Sequence, residues 1–209
     1  MITNNLYVIA AICGNFWQES TINPGIWEGL TIGAPGYGLG QWTDNAQVSR
    51  RTELFNYLDL RGLPHDSGPG QLDFLIYEDV WLPVGAGGYV SAYASLSDFL
   101  SSTSTTLSDL VLEWMYCWEG INDGTQNVRL ERAADILDVL QNDPGTRDPW
   151  YASNAYLTPA QARNNALLIM DYFAGASPTP VPEPTFEVLM AILKRALDLK
   201  KKGGIFILW

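Results

Sequence analysis

Residues 14–25 read Gly14-Asn15-Phe16-Trp17-Gln18-Glu19-Ser20-Thr21-Ile22-Asn23-Pro24-Gly25, and residues 36–43 read Gly36-Tyr37-Gly38-Leu39-Gly40-Gln41-Trp42-Thr43. The first stretch closes an apolar run that begins at Leu6. Its spacing predicts a helix over Asn5 to Ser20 with an apolar face wide enough to be buried, and Glu19 falls in the last turn. From Thr21 to Thr43 the chain is rich in Gly and Pro, so a loop or short hairpin is expected directly after that glutamate.

Helical periodicity returns repeatedly downstream. Leu54, Phe55 and Leu58 share a face over 47–61, with Gly62 and Pro64 marking the stop. Leu72, Leu75 and Ile76 pattern a further helix ahead of Pro83, and Tyr89, Tyr93, Leu96 and Leu100 suggest another. Leu107, Leu110, Val111, Trp114 and Trp118 give the series of a core-facing helix. Asn122 to Gly124 is a turn, and Gln126 to Gln141 places Leu130, Ala133, Leu137 and Leu140 on one face. Thr158-Pro159 supplies a cap and first-turn proline for a last helix ending at Phe173. No segment shows strand alternation of similar quality, so the fold class expected is mainly α with little sheet.

Three parts follow from composition: a body over 1–174, a Pro-rich linker over 175–184, and a tail over 185–209. In the tail, Phe186, Leu189, Met190, Leu193 and Leu197 form an apolar stripe ahead of Lys200-Lys201-Lys202 and Ile205-Phe206-Ile207-Leu208-Trp209. Such a segment would lie on a membrane interface or dock on a protein partner. Residues 1–184 carry a net charge of −14 and residues 185–209 one of +3. An acidic body argues against nucleic acid, whose phosphates are bound by Lys and Arg.

Leu6 to Trp17 is apolar like a signal-peptide core, yet no basic residue precedes it, so a buried helix of the body is expected. The two cysteines, Cys13 and Cys117, lie on apolar segments without CxxC spacing. Buried free thiols are expected, with a disulfide as the lesser alternative. The single histidine, His65, reads as an exposed loop residue, which sets aside a zinc site and leaves Cys13 without a convincing base for peptidase chemistry. No metal and no cofactor is expected.

Breaking a glycosidic bond requires a proton delivered to the leaving oxygen, and a carboxyl among apolar groups keeps its proton near neutral pH. Glu19, close to Phe16 and Trp17, meets that description. Its neighbours sharpen the assignment. The order Glu19-Ser20, Asn23-Pro24, Gly38-Leu39-Gly40-Gln41 resembles the signature of lytic transglycosylases and goose-type lysozymes, in which the later motifs build the cleft floor. With Gly14-Asn15 before it and Gln41-Trp42-Thr43 after it, the pattern is similar to the phage tail lysozyme family. Arg50 or Arg51, Gln71-Leu72, Tyr116-Cys117-Trp118-Glu119 and the Arg- and Ala-containing stretch from Val128 to Ala134 extend the resemblance over about residues 5–173.

The resemblance implies a lysozyme-like helical domain that cleaves the β-1,4 bond between N-acetylmuramic acid and N-acetylglucosamine of peptidoglycan, with Glu19 as general acid. Glu28, Asp44 and Glu119 are the candidates for a second carboxylate. Glu28 is chosen because it lies between the two halves of the motif, and the plain reading of it as a loop surface charge stands beside that choice. Ser20, Asn23, Tyr37, Gly38, Gln41, Trp42 and Tyr116 are the candidate substrate contacts, since amides bond hydroxyls and aromatic faces cover sugar C–H surfaces. The family also implies a place in the virion tail, where the wall is opened as the genome enters, with further tail subunits as partners of 185–209. A lytic transglycosylase, a secreted bacterial enzyme, or a non-catalytic tail or glycan-binding module are the alternatives.

Overall fold

The computed structural model describes residues 2–175; the expected linker beyond Gly175 and the tail lie outside the described residues. Seven α-helices are present in them: α1 (Leu6–Ser20), α2 (Arg50–Leu60), α3 (Gly68–Glu78), α4 (Leu96–Leu100), α5 (Leu107–Glu113), α6 (Gln126–Gln141) and α7 (Pro159–Phe173). The sheet is a two-stranded antiparallel hairpin, β1 (Gly36–Tyr37) and β2 (Trp42–Thr43), with Tyr37 opposite Trp42. The mainly α expectation and the short hairpin are both present.

Helix α1 is the axis of the body. Val8 through Cys13 are apolar on every side and fully buried, the pattern of a helix enclosed by others. It packs chiefly on α6, with α5 and α7 completing its surroundings. Asn5 caps its start by accepting from the Tyr7 amide, and Thr21 ends it in the left-handed region.

The α1–α6 crossing depends on Gly14. A Cβ there would lie 2.5 Å from the Ala133 Cβ and 2.7 Å from the Ala133 amide nitrogen, so the two backbones could not keep their separation. Gly14→Ala is expected to lower stability by about 1–3 kcal/mol, despite the better helix propensity of alanine, because the clash is with backbone. Denaturant midpoints test this, and Ala133→Gly in the same chain should restore part of the loss. A midpoint at or above that of the parent would remove the close crossing from the account.

Two expectations change. The stretch from Tyr89 to Ser95 is not helical, and only Leu96–Leu100 forms the helix. The cause is Glu113, buried on α5, whose carboxylate accepts from the Tyr89 hydroxyl, the Ser91 hydroxyl and the Ala92 amide and so holds the segment open. His65 is half-buried rather than exposed, stacked on the Phe55 ring at 3.8 Å and bonded to Asp59. Cys13 and Cys117 are free and buried.

Beyond Glu113 the helical path widens into a π-turn, Trp114–Trp118, in which the Glu119 amide donates to the Trp114 carbonyl. Such insertions are frequent at functional sites, because the extra residue redirects whatever follows. Here the residue that follows is Glu119. No helix among the described residues is long and apolar enough to cross a membrane.

Candidate active site

A cleft of about 420 Å³ opens where the end of α1, the hairpin and the segment after the π-turn meet. Glu19 lines it from α1, Glu28, Gly40 and Gln41 from the loop and hairpin, and Glu119 and Ile121 from beyond the π-turn. Trp27, Arg50 and Tyr156 complete the parts of the wall that matter chemically.

The loops reach this arrangement through buried polar side chains. Ser20 donates to the Leu39 carbonyl at 2.8 Å, tying the hairpin loop to the end of α1. Gln71, fully buried on α3, accepts from the Leu39 amide and donates to the Pro24 and His65 carbonyls. Gly38, with φ +78°, is pressed against the Gln71 amide, and a Cβ on Gly40 would strike the Trp118 ring at 2.5 Å. Asn23 donates to the Ser153 and Ala155 carbonyls and carries the segment that presents Tyr156.

The candidate contacts therefore divide. Gln41 lines the cleft, with its amide nitrogen donating to the Gly38 carbonyl. Ser20, Asn23 and Trp42 have no exposed surface, so they support the floor from beneath. Trp42 instead donates its indole N–H to Glu78, itself paired with Arg50. Tyr37 is buried against Trp27 and Phe55. Tyr116 is stacked on Tyr89 and accepts from Gln126, away from the cleft wall. The aromatic rings on the wall are Trp27 and Tyr156. Trp27 adjoins Glu28 in sequence and could have been found from that position; Tyr156, far along the chain and brought in by Asn23, gave no local signal.

Glu28 is on the cleft wall, exposed, and accepts from the Gly36 amide at 3.0 Å. Asp44 is instead tied to Arg51 and Thr52. Beside Glu19 in the cleft wall stands Glu119, and one guanidinium joins the two carboxyls. Both carboxyls are held by Arg129, a fully buried residue of α6: Nη2 donates to Glu19 Oε1 at 2.5 Å and Nη1 to Glu119 Oε2 at 2.7 Å. The other donors of the guanidinium go to the Asn15 side chain, the Thr125 hydroxyl and, at 3.5 Å, Asp123.

This cluster sets the charge of the site. The Glu19 side chain is 23% exposed, that of Glu119 only 4%, and that of Arg129 not at all. Burial pushes the Glu119 carboxyl well above the usual range, the negative charge of Glu19 adds to this, and Arg129 only partly opposes it. Burial also disfavours the charge of Asp123, but bonds from Thr125 and the charge of Arg129 outweigh it and hold that carboxyl low. Burial and the adjacent carboxylate thus favour a proton on Glu119, against the pull of Arg129. No cluster of His, Cys, Asp and Glu suited to a metal ion occurs among the described residues.

A family model described as phage tail lysozyme matches residues 5–140. The chain is also similar to Morphogenesis protein 1 of Bacillus phage B103, at 40% identity over 72 residues. That stretch is 34% of this chain and 18% of the phage protein, so the chain spans a small part of its relative.

Proposed function

The chain belongs to the phage tail lysozyme family, and we propose that its cleft cleaves the β-1,4 bond between N-acetylmuramic acid and N-acetylglucosamine in peptidoglycan. The observation that carries this is the Glu19 carboxyl, partly exposed at the end of a buried helix and paired in the cleft with the buried carboxyl of Glu119. Glu19 protonates the glycosidic oxygen; the bond to the anomeric carbon breaks with its electrons passing to that oxygen, and positive charge develops on the sugar. Glu28, kept on the wall by the Gly36 amide, is the carboxylate that orients and deprotonates the attacking water. Trp27 and Tyr156 cover sugar C–H faces, and Gln41 bonds hydroxyl or acetamido groups.

The particle role is part of the same reading. Residues 1–184, of net charge −14, would be repelled by an anionic wall in free solution, which favours delivery on a virion, and the similarity to a phage morphogenesis protein supports a phage setting. Residues 185–209 would then dock on other tail subunits, with contact to an anionic membrane as the competing role.

Digestion of purified peptidoglycan followed by mass spectrometry of the products tests the function. New reducing ends are expected. Anhydro ends would replace hydrolysis with transglycosylation and remove the role given to Glu28, whereas bound glycan without products would make the domain a binding module.

A further inference from the structure

Three carboxylates, those of Glu19, Glu119 and Asp123, surround one buried guanidinium. Arg129 can neutralise one of them. Asp123 is the most distant from it, at 3.5 Å, and is 42% exposed, so water and Thr125 support its charge. Glu19 and Glu119 differ from it in kind. They sit side by side on one guanidinium, Glu19 on Nη2 and Glu119 on Nη1, and Glu119 Oε1 is buried with no N–H or O–H donor directed at it. Two ionised carboxylates in contact at such depth would be strongly disfavoured, and a carboxylate oxygen without a donor would be left unsolvated. A proton on Glu119 removes both problems at once, because the new O–H becomes the donor in its contact with Glu19.

We propose that Glu119 is a positioning residue that keeps one proton on the Glu19–Glu119 pair, with Arg129 fixing both carboxyls, and that this shared proton is the one Glu19 delivers. The proposal rests on the glycosidase reading of the cleft. When the proton leaves for the glycosidic oxygen, the pair becomes doubly negative. That charge arises as positive charge grows on the anomeric carbon, which it stabilises. The attacking water or sugar hydroxyl forms its bond to that carbon and returns its own proton to the pair, through Glu28 in hydrolysis or directly to Glu19.

The other charges facing the pair are Arg129, Asp123 and, on the cleft wall, Arg50 and Glu28; Arg132 on α6 adds positive charge near Arg129. Glu119 is the buried like charge that shares the Arg129 guanidinium with Glu19, so its removal has a signed consequence. With Glu119→Gln the repulsion that resists loss of the last proton is gone, while the attraction of Arg129 for a Glu19 carboxylate remains. The reacting proton is then held less firmly.

The pH profile of kcat/KM on soluble wall fragments reads this. In Glu119→Gln the alkaline limb is expected to move down by at least about one unit, so the rate on that side falls about tenfold while the acid side stays near the parent value. A uniform fall at every pH, or an unmoved limb, would overturn the proposal, since a merely structural role would scale the whole profile.

Carboxyl-labelled glutamate spectra of the full chain give a second readout that requires neither turnover nor a folded Glu119→Gln. One carboxyl should titrate well above the ordinary range, and it should move to lower pH in Glu19→Gln. Glu78, also raised by burial despite its Arg50 partner, should be unaffected by that change. If every glutamate titrates in the ordinary range, or the raised one ignores Glu19→Gln, no proton is shared. A coupled titration in a protein without turnover would leave the pair standing and overturn the glycosidase reading instead.

Discussion

Glu19→Gln is expected to lower turnover on purified peptidoglycan by about 10²–10⁴-fold, the contribution of a positioned general acid, while the protein still folds. The amide keeps an oxygen to accept the Arg129 Nη2 bond and loses only the ability to carry the reacting proton. Because the Gln side chain is nearly the same size, Trp27, Gln41 and Tyr156 should still hold substrate, and the loss should appear in kcat more than in KM. Initial rates of wall-fragment release, with melting curves of both proteins, decide the matter. Activity near that of the parent would move the general acid away from Glu19.

Arg129→Ala should instead act on the fold. It removes a fully buried cation and leaves the buried Glu119 carboxyl and the Asn15 amide oxygen without their shared donor, a change that typically costs about 3–5 kcal/mol. The direction of its pH dependence follows from linkage. Glu119 already has a folded-state pKa raised above its unfolded value, and loss of Arg129 raises it further. The folded state then binds a proton that the unfolded chain has released. Stability from this group is therefore full below the ordinary carboxylate range and is lost as pH rises through the raised pKa. Denaturant midpoints should show a smaller penalty in mild acid than at slightly alkaline pH. A penalty below about 1 kcal/mol, or one equal at both pH values, would contradict the placement of Arg129 as the support of two carboxyls.

Adding Glu119→Gln to Arg129→Ala should recover part of the loss at alkaline pH, since the titrating group is then absent. The two changes share one network and are not expected to add.

The sequence by itself carried the local and patterned features. A continuous apolar run ending in Glu19-Ser20 required a buried helix, and Gly and Pro after it required a loop. Thr158-Pro159, a cap and a first-turn proline, located the last helix, and the structure adds Gln161 closing a capping box. The motif of Glu19, Asn23-Pro24 and Gly38-Leu39-Gly40-Gln41 pointed to the family and to the cleft, because residues joined by short loops remain neighbours however the remainder packs.

What the tertiary structure alone decided is which polar residues turn inward. Periodicity on α6 selected Leu130, Ala133, Leu137 and Leu140, whereas the fully or nearly fully buried side chains are Arg129, Ala133, Ile136 and Leu140, with Leu130 and Leu137 only partly covered. Hydrophobic patterning cannot count an arginine as an inward residue, since its burial is favourable only when Glu19, Glu119 and Asn15 arrive from other elements to meet it. Glu119 stood among the candidate second carboxylates in the sequence, but its place beside Glu19 was not legible there, for a related reason. In an unbroken helical register its direction is different, and the π-turn that brings it to Glu19 is set by how Trp114 and Trp118 pack on Phe16, a contact between distant segments that no local window contains.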